Sequence, residues 1–528
     1  MKVALLVMPF HYPFLSSIGL TQIKDRIKSR FKGSIDVRVF YINLEFFEFF
    51  GHEAYLKIMA DSSYTGVNDW LFRQEAFDNI ADNREDYFAR FYQGTMDNIL
   101  GAESDKKWKS LGGFINEVIE KYQLTGFDLV GINATFSLVP ALAFFRHLKK
   151  KRNQIITVVG GAGVYKEMGE ALSRCYPYVD YVCSGSGLVS FPRLIEAVMK
   201  KDEQSKESIA GIFTKNNLGK VGNVSEELDI SEDIYLDYHD FLESLKAFNI
   251  VGKDSQPMIL LETSRGCYWQ KCKFCGLNED QLKYRVKDPA RAIEEINRCI
   301  KEYDDCSLEM VDNVLPKNYL KKVLPYIRMP EGRRIMYEVR ADYTEEEIKV
   351  LSQAGVRYVQ PGIESLVTGI HEEMNKGINA IQCITMLKLC LKHGIFPGWN
   401  IIVGFPNITR EMYENLIATM QRLTHLMPPT SLTPVRFDRY SHYWCEKEKY
   451  QLDLFPFSAY EYIYPYDDRF LFGIAYYFED RNYISERFQL LGEYYTGVEK
   501  VITHWRARWK NAVDSDIPSL DFHIGILP

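Results

Sequence analysis

Three cysteines stand close together after a strand-like run at residues 257–263, namely Cys267, Cys272 and Cys275. Three thiolates on one loop can hold three irons of a cubic iron–sulfur cluster, and the fourth iron, with no cysteine nearby, stays open for a substrate or cofactor. A zinc knuckle is the alternative, but zinc prefers four ligands, and the nearest further cysteine, Cys299, lies inside a predicted helix. The spacing therefore favours the cluster over zinc.

The loop that carries these cysteines must be positioned by the second half of the chain, where strands and helices alternate. Predicted strands cover 257–263, 307–311, 334–340, 356–361, 399–403 and 431–436. Six strand–helix pairs predict a partial or full α/β barrel, in which the chemistry sits at the carboxyl ends of the strands. The cysteine loop follows the first of these strands, in agreement with that rule.

Polar and glycine residues also follow the later strands of the predicted barrel. They are Asp312, Asn313, Glu338, Arg340, Gly362, Glu364, Ser365 and Gly404. Each alone could be a turn residue or half of a satisfied ion pair. Because the carboxyl ends of all the strands meet at one mouth of a barrel, together they predict a binding pocket.

Helix boundaries in this region carry local signals. Asp288 followed by Pro289 is typical of a helix start, and Thr344 with Glu347 three residues later forms a capping-box pattern. Gly394 predicts the end of a helix over 379–393.

The first 200 residues predict a separate α/β layer. The predicted strands are Lys2–Met8, Asp36–Ile42, Leu129–Asn133, Ile155–Val159 and Tyr181–Cys183, separated by helices at Ser17–Phe31, Leu138–Lys151, Glu167–Cys175 and Phe191–Lys200. This alternation favours a parallel sheet, whose ligands bind at the carboxyl edge. Glycine turns follow two neighbouring strands there, at Gly160-Gly161 and at Gly185-Ser186, and glycine lets the backbone approach a ligand closely. No G-x-G-x-x-G follows the first strand, which runs into Pro9 instead, and this argues against a dinucleotide.

Three stretches lie outside these two layers. Residues 44–125 predict a mainly helical, aromatic-rich insertion that packs on its own core; the alternative is that its segment Asp69–Phe72, with Trp70, lines a cofactor face. Residues 201–256 predict a connector with a small hairpin at 212–221. The aromatic segment 437–528 predicts a lid or packing subdomain, or alternatively a surface for an extended peptide.

Composition points to an intracellular enzyme. The 528 residues exceed one core and predict two to four domains, and the net charge of -7 argues against broad nucleic-acid binding. Ten cysteines in so long a chain do not read as a disulfide framework, which fits a reducing cytoplasm. The chain begins with a strand pattern rather than a signal peptide, and no stretch approaches the roughly 20 apolar residues of a membrane span.

Several segments together carry a family resemblance. The cysteine loop with Phe274 before its last cysteine, the turn Gly362–Ser365 and the run Met374–Gly377 resemble the radical S-adenosylmethionine (SAM) enzymes. The layer before them, with Asn68–Phe72 and Val179–Val182, resembles a cobalamin-binding domain of the class fused to such enzymes. The group resembled is that of the radical SAM proteins that mature ribosomal peptides, which includes cobalamin-dependent C-methyltransferases.

The sequence departs from the family pattern at four places. Four residues rather than three separate Cys267 from Cys272, while Cys272 and Cys275 keep the usual spacing. Ser186 stands where the glycine turn usually carries a glutamate, and Asn407-Ile408 stand where Gly-Glu is frequent. No Asp-x-His-x-x-Gly occurs in the first domain, so no protein histidine is expected on cobalt.

The resemblance implies an α/β fold in several domains. Residues 1–200 are expected to form a Rossmann-like cobalamin-binding domain, 201–256 a connector and 257–436 a partial (β/α)6 radical SAM barrel. Residues 437–528 are then a small α/β or helical domain that could dock the substrate.

The resemblance also implies the cofactors and their contacts. They are a [4Fe-4S] cluster on the three cysteines, SAM and cobalamin. SAM is expected near Phe274, Glu338, Arg340, Gly362, Glu364, Ser365 and Gly404. Cobalamin is expected between the two domains, near Pro9, Trp70, Thr135, Ser137, Gly160, Gly161, Gly185 and Ser186.

The activity that follows is transfer of a methyl group to a carbon of a ribosomally made peptide, with flavodoxin or ferredoxin as electron donor. The alternative substrate is a small-molecule natural product, which would be methylated, cyclised or rearranged. A cobalamin- or cluster-dependent sensor is a third hypothesis, but no DNA-binding or signalling module is visible. Neither nucleic acid nor membrane is expected as a partner.

Overall fold

The computed structural model describes residues 1–92, 94, 96, 101, 104–135, 137–250, 256–278 and 283–513, so parts of the predicted insertion, connector and C-terminal segment lie outside it. The chain divides into two compact units. The first comprises Met1–Leu260 and Phe455–Tyr476, and the second begins at Leu261, runs to Leu454 and resumes at Tyr477.

A six-stranded sheet forms the centre of the first unit. Its strands are β1 (Lys2–Leu6), β2 (Asp36–Phe40), β3 (Leu129–Asn133), β4 (Ile156–Gly160), β5 (Tyr181–Cys183) and β6 (Ile212–Phe213). Their order is β2-β1-β3-β4-β5-β6, and the first five are parallel. The predicted parallel α/β layer is confirmed. The strand order reverses between β1 and β3, and ligands of such sheets bind at the carboxyl edge at that point.

Helices surround this sheet and form the aromatic-rich insertion. They are Ile18–Phe31, Asn43–Phe50, His52–Thr65, Val67–Trp70, Arg73–Ala76, Arg84–Tyr92, Ser104–Lys121, Leu138–Lys151, Glu167–Cys175, Gly187–Lys200, Glu203–Ser208, His239–Phe248, Ala459–Ile463 and Asp468–Ile474, with 3-10 turns at Leu124–Gly126 and Ala162–Val164. The described part of the insertion is helical, as predicted, and its aromatic side chains share one apolar core with the sheet and the helix Leu138–Lys151.

The prediction of a small hairpin at 212–221 is wrong. Ile212–Phe213 instead adds an antiparallel edge strand to β5. The Asn217 side chain accepts a hydrogen bond from the Thr214 amide at 2.8 Å and donates one to the Ile212 carbonyl at 2.8 Å. These side-chain bonds take the backbone groups that a partner strand would need, so the chain turns without forming a second strand.

The strands from residue 258 onward are β7 (Met258–Leu261), β8 (Ser264–Arg265), β9 (Arg285–Val286), β10 (Ser307–Met310), β11 (Ile335–Arg340), β12 (Val356–Gly362), β13 (Phe396–Pro397), β14 (Asn400–Val403), β15 (Ser431–Pro434), β16 (Phe437–Asp438), β17 (Leu454–Pro456) and β18 (Tyr477–Asp480), of which β7 and β17 stand at the chain boundaries of the two units. β10 to β13 pair in parallel, whereas β8 with β9 and β16 with β18 pair antiparallel. The main sheet has the order β13-β12-β11-β10-β7, and β14 pairs in parallel with β15. All six predicted strands occur.

The last two predicted barrel strands belong to a separate sheet, because the strand after β12 is interrupted. Phe396–Pro397 pairs with the start of β12, and an isolated parallel bridge joins Glu364 to Ile401 in β14. Between them lies Gly398, where a Cβ would stand 2.0 Å from the Tyr358 hydroxyl. The Tyr358 hydroxyl thus fills the space that a side chain at position 398 would need, so glycine is required where the strand is interrupted.

Helices of the second unit follow its strands. They are Pro289–Glu302, Tyr319–Lys322, Glu345–Ala354, Thr368–Glu373, Ala380–Lys392, Arg410–Arg422, His442–Cys445 and Glu486–Val513, with 3-10 turns at Gly276–Asn278 and Leu324–Tyr326. The Thr344–Glu347 capping box and the Asp288–Pro289 helix start are confirmed.

The segment predicted as one C-terminal domain is divided between the two units. Asp468–Ile474 packs on Glu167–Cys175 in the first unit, where a Cβ at Gly473 would lie 2.8 Å from that of Ala171. Glu486–Val513 packs on Arg410–Arg422 in the second unit. No helix in the described ranges is long and apolar enough to span a bilayer.

Candidate active site

The cysteine loop follows β7 and β8 in the second unit, and its three cysteines are half-buried and form no disulfide. The Cys275 amide donates to the Cys272 carbonyl at 3.3 Å, which folds the second half of the loop into a turn. Burial, together with the negative charges of Cys272, Asp438 and Cys267, raises the pKa of Cys275 to about 12. The thiols therefore lie within electrostatic reach of one another, and bound iron would replace their protons.

The donor set fits an iron–sulfur cluster. Thiolates are the ligands that such clusters use, and three of them on one loop leave one iron open. Among the described residues, no group of three or more His, Cys, Asp or Glu side chains lies close enough to hold a single metal ion.

Two backbone hydrogen bonds fasten the middle of the loop. The Lys273 amide donates to the Met374 carbonyl at 2.9 Å, and the Lys273 carbonyl accepts from the Tyr443 amide at 3.1 Å. Lys273 therefore links the loop to the segment that carried part of the family resemblance.

The turn after β12 brings Glu364 to the second cysteine. Glu364 has a left-handed backbone, with φ of 53°, and its carbonyl accepts from the Ile402 amide at 2.9 Å. Its carboxylate forms a buried ion pair with Lys376, and the Lys376 ammonium lies 5.6 Å from the centre of the Phe274 ring. Both charges act on Cys272, so the structure gathers Phe274, Glu364 and Lys376 around this cysteine.

The other residues predicted in this turn have structural partners. Ser365 is fully buried and its hydroxyl accepts from the Val367 amide at 3.3 Å. At Gly362 a Cβ would lie 2.9 Å from the Lys376 ammonium, so a side chain there would press on the ion pair.

Glu338 and Arg340 stand two residues apart on β11, so their side chains point to the same face of the sheet. Burial raises the pKa of Glu338 to about 7, helped by the negative charges of Glu309, Asp312 and Glu364. No cation lies close enough within the described residues to form an ion pair with Glu338. A carboxyl group in these surroundings suits a positively charged ligand.

The Arg340 guanidinium, in contrast, is hydrogen-bonded to groups of the protein itself. It donates to the Lys376 carbonyl at 3.2 Å, to the Gly377 carbonyl at 3.1 Å and to the Asp342 carboxylate at 3.1 Å. Gly404 also has internal partners, because its amide donates to the Tyr413 hydroxyl at 2.9 Å.

Sequence reasoning did not select Lys376 or Asp438 as site residues. Lys376 stands in the run Met374–Gly377 that carried the resemblance, but nothing local shows that it pairs with Glu364. Asp438 lies beside Cys275, and burial raises its pKa to about 7, against the opposing effects of Arg436 and the Gly276 amide. Both interactions join residues far apart in sequence.

In the first unit, candidate residues line the reversal point between β1 and β3. Pro9 follows β1 and is buried, whereas Thr135 follows β3 and is exposed. Gly161, after β4, has φ of 101°, and a Cβ there would lie 2.3 Å from the Asn133 side-chain oxygen. Only glycine fits this turn, and the Thr135 hydroxyl donates to the same oxygen at 2.5 Å.

The remaining glycine turns lie along the same edge. The Gly160 carbonyl accepts from the Ala134 amide at 2.7 Å, which ties the turn after β4 to the turn after β3. Gly185 has φ of 88°, and a Cβ there would lie 2.8 Å from Val224. Ser186, which replaces the glutamate of the family pattern, caps the helix Gly187–Lys200.

Trp70 belongs to the core of the insertion, where its ring packs on other aromatic side chains. The side chain is 1% exposed, and Tyr87 and Trp108 stack parallel to it at 4.4 Å and 5.8 Å between ring centres. The indole nitrogen donates to the Asn83 side chain at 3.0 Å. Both stacking contacts and the hydrogen bond are thus internal, and the core alternative for this aromatic segment is supported.

The neighbours of Trp70 support the turn after β3. Asn68 donates to the Ser137 hydroxyl at 3.3 Å, and the Asp69 carboxylate accepts from the Val139 amide at 3.0 Å. Asp69 therefore caps the helix Leu138–Lys151, although it lies about 70 residues before that helix in the chain. Burial raises the pKa of Asp69 to about 7.

Residues 261–420 match the sequence model of the radical SAM superfamily. These residues form a radical SAM enzyme domain. The family implies a [4Fe-4S] cluster and SAM as cofactors, and the three cysteines of the loop are the donors that such a cluster needs. The expected α/β architecture of this domain is confirmed by its parallel strands.

Curated relatives of the radical SAM domain include an uncharacterized methyltransferase of Pyrococcus horikoshii, 29% identical over 316 residues, which are 58% of this chain and 66% of the relative. The anaerobic magnesium-protoporphyrin IX monomethyl ester cyclase of Rubrivivax gelatinosus is 24% identical over 309 residues, 57% of this chain and 55% of the relative. The chain thus spans about half to two thirds of the length of these relatives.

Two solved structures resemble most of the chain in fold. The cobalamin-dependent SAM radical enzyme OxsB, with aqua-cobalamin bound, has a TM-score of 0.60 at 14% identity, covering 91% of this chain and 64% of OxsB. The radical SAM methyltransferase TsrM of Kitasatospora setae, with cobalamin and a [4Fe-4S] cluster bound, has a TM-score of 0.56 at 13% identity. The match covers 84% of this chain and 74% of TsrM. The likeness is one of fold, and both neighbours bind cobalamin.

Proposed function

We propose that this chain is a cobalamin-dependent radical SAM methyltransferase that adds a methyl group to a carbon of its substrate. The observation that carries the proposal is the gathering of Phe274, Glu364 and Lys376 around Cys272, in a loop that carries three cysteines outside any disulfide. When bound, the cluster supplies the electron that cleaves SAM, and cobalamin supplies the methyl group.

The residues of the radical SAM domain divide the work of binding. Cys267, Cys272 and Cys275 hold three irons. Glu338, surrounded by carboxylates, attracts the positive charge of SAM. Phe274 and Phe405, whose ring centres lie 5.7 Å apart, offer an apolar surface for the adenine and keep water away.

Matched cysteine variants test the cluster. Cys272→Ala should abolish the visible absorbance of the anaerobically reconstituted protein and its cleavage of SAM. Cys299→Ala, at a buried helical position of the same unit, should change neither. Cleavage of SAM by the Cys272→Ala protein would contradict the assignment.

Cobalamin is proposed to bind at the carboxyl edge of the first sheet, near Thr135, Gly161 and Ser186. Gly161→Ala should displace the Asn133 side chain and weaken cobalamin binding without loss of iron. Gly219→Ala is the control, because Gly219 also has positive φ, at 72°, and a Cβ there would meet nothing within 4 Å. Equal cobalamin retention in the two variants contradicts this location.

Cobalt is proposed to have no nitrogen ligand below it, neither a histidine of the protein nor the cofactor's own base. His11 follows β1 closely, but its Nε2 lies 2.8 Å from the Leu15 carbonyl oxygen, and burial lowers its pKa. Electron paramagnetic resonance of the Co(II) form should show no nitrogen hyperfine splitting. Splitting that disappears in His11→Gln would identify His11 as the ligand and refute this part.

The products distinguish methyl transfer from other radical reactions. Methylation of an unactivated carbon consumes two SAM molecules with different fates, so 5′-deoxyadenosine and S-adenosylhomocysteine should form in about equal amounts alongside the methylated substrate. Deoxyadenosine alone would indicate cyclisation or rearrangement. S-adenosylhomocysteine alone would indicate non-radical methylation.

The proposed substrate is a ribosomally made peptide, with flavodoxin or ferredoxin as electron donor. The second candidate is a small molecule, and it is favoured by TsrM, a structural neighbour that has been solved with tryptophan bound as substrate. Mass spectrometry after incubation with candidate peptides and with free amino acids separates the two. A mass gain of one methylene in only one of these pools decides between them.

A further inference from the structure

The cysteine loop contains one residue more than the usual spacing, and the structure shows how that residue is accommodated. Between Cys267 and Cys272 the chain turns through Gln270, which has a left-handed backbone with φ of 52°. Such a conformation is uncommon for a residue other than glycine and persists only where neighbouring contacts hold it. Trp269, which immediately precedes Gln270, makes contacts that can hold this part of the loop.

The Trp269 indole is seated on the turn that follows Met374. Its Nε1 donates to the Asn375 carbonyl at 2.8 Å. Its six-membered ring lies directly on Gly377, where a Cβ would stand 2.1 Å from both Cη2 and Cζ2. Gly377 is therefore required by the close approach of the indole as well as by its own φ of 65°.

Arg340 fixes the same turn from β11. The centre of its guanidinium lies 4.6 Å from the centre of the Trp269 ring, which is cation–π distance. The same guanidinium donates to the carbonyls of Lys376 and Gly377. Trp269 and Arg340 therefore both contact the short turn at residues 375–377. Trp269 lies between Cys267 and Cys272 in sequence, so its contacts attach this part of the cysteine loop to that turn.

We propose that Trp269 is a positioning residue that, seated on Gly377 and covered by Arg340, holds the longer first half of the cysteine loop in its iron-ligating shape. The inference rests on the proposed cluster. Tyr268 in the same interval also packs on Tyr284, with ring centres 5.7 Å apart, so Trp269 acts together with a second aromatic contact of the loop. Loss of the residues that support metal ligands typically weakens metal binding by about 10- to 100-fold.

A pair of glycine variants tests the anchor. Gly377→Ala places a methyl group inside the indole, whereas Gly394→Ala has the same φ of 65° and a Cβ that meets nothing within 4 Å. Both proteins are reconstituted anaerobically, and the loss of cluster absorbance to an iron chelator is timed. Gly377→Ala should lose its cluster about 10- to 100-fold faster than Gly394→Ala, and equal rates would overturn the proposal.

A second variant separates the anchor from general misfolding. Trp269→Phe keeps an aromatic ring but loses the Nε1–H and cannot reach Gly377 to the same depth. It should lose its cluster faster than wild type, with an altered electron paramagnetic resonance signal of the reduced cluster, while the metal-free protein melts at the wild-type temperature.

The double variant gives the deciding comparison. In the Trp269→Phe background, Gly377→Ala should add little, because the indole that the methyl group strikes is gone. Equal effects of Gly377→Ala in both backgrounds would refute the role of Trp269. A wild-type protein that takes up no cluster would instead refute the proposed function, so the two failures are distinguishable.

Discussion

The ion pair between Lys376 and Glu364 allows the sharpest test of the site geometry. Their side chains are only 10% and 13% exposed. Lys376→Met removes the cation and leaves the Glu364 carboxylate buried without it. Breaking a buried pair in this way costs about 3–5 kcal/mol, because the remaining charge keeps its desolvation penalty. For a unit of this size each kcal/mol lowers the melting temperature by about 2–4 °C, so a fall of about 6–20 °C is expected.

A double-mutant cycle shows whether the loss comes from the pair. In Lys376→Met/Glu364→Gln neither charge remains, so the double variant should be more stable than the sum of the single changes, by about 0.5–3 kcal/mol. Calorimetry of the metal-free, reduced protein measures all four members of the cycle. Lys449→Met, which breaks an exposed pair with Glu446, is the control and should leave the melting temperature unchanged.

The pH dependence of this effect is also fixed by the structure. Burial acts to lower the pKa of Lys376, but the negative charges of Glu364 and Cys272 outweigh it and raise the pKa above its usual value. A raised lysine pKa contributes stability that is present below the unfolded value and is lost only as pH rises through the folded value. The effect of Lys376→Met should therefore be the same at pH 6 and about pH 9. A Lys376→Met protein that melts within about 2 °C of wild type would contradict the buried ion pair.

Three further changes test other parts of the structure. Since burial raises the pKa of Asp69 to about 7, stability should fall as pH rises from about 4 to 7, and Asp69→Asn should flatten this fall in denaturant unfolding. Thr263→Val removes the hydroxyl that donates to the buried Asp312 carboxylate and should cost about 1–3 kcal/mol in the same assay. Gly398→Ala should lower the melting temperature, because its Cβ would lie 2.0 Å from the Tyr358 hydroxyl, and Tyr358→Phe should relieve part of the loss.

Local signals made much of the fold predictable. β3 and β5 begin and end where the alternation of apolar runs and helices predicted, and the capping box at Thr344 starts its helix as expected. These features depend on neighbours a few residues apart, which a sequence shows directly. The hairpin at 212–221 failed because Asn217 takes up backbone groups that the predicted pairing required.

Tertiary contacts decided what the sequence left open. The aromatic pattern of the insertion predicted either a core or a cofactor face, and only the stacking of Tyr87 and Trp108 on Trp70 distinguishes the two. The adjacent Asp69 has a role that no local pattern shows, because the helix that it caps begins at Leu138. Residues that carry a family resemblance can therefore support a site without touching its ligand.

Glu338 and Arg340 illustrate the same limit within the radical SAM domain. Both stand at the carboxyl end of β11, and alternation places both on one face, so the sequence treats them as equivalent candidates. In the structure, the two side chains differ in the hydrogen bonds and charges that surround them. Arg340 satisfies its guanidinium with two backbone carbonyls and Asp342, whereas Glu338 is half-buried among other carboxylates. A strand-end position thus predicts proximity to the pocket, but the hydrogen bonds and charges around each side chain decide that Glu338, rather than Arg340, is suited to attract a cationic ligand.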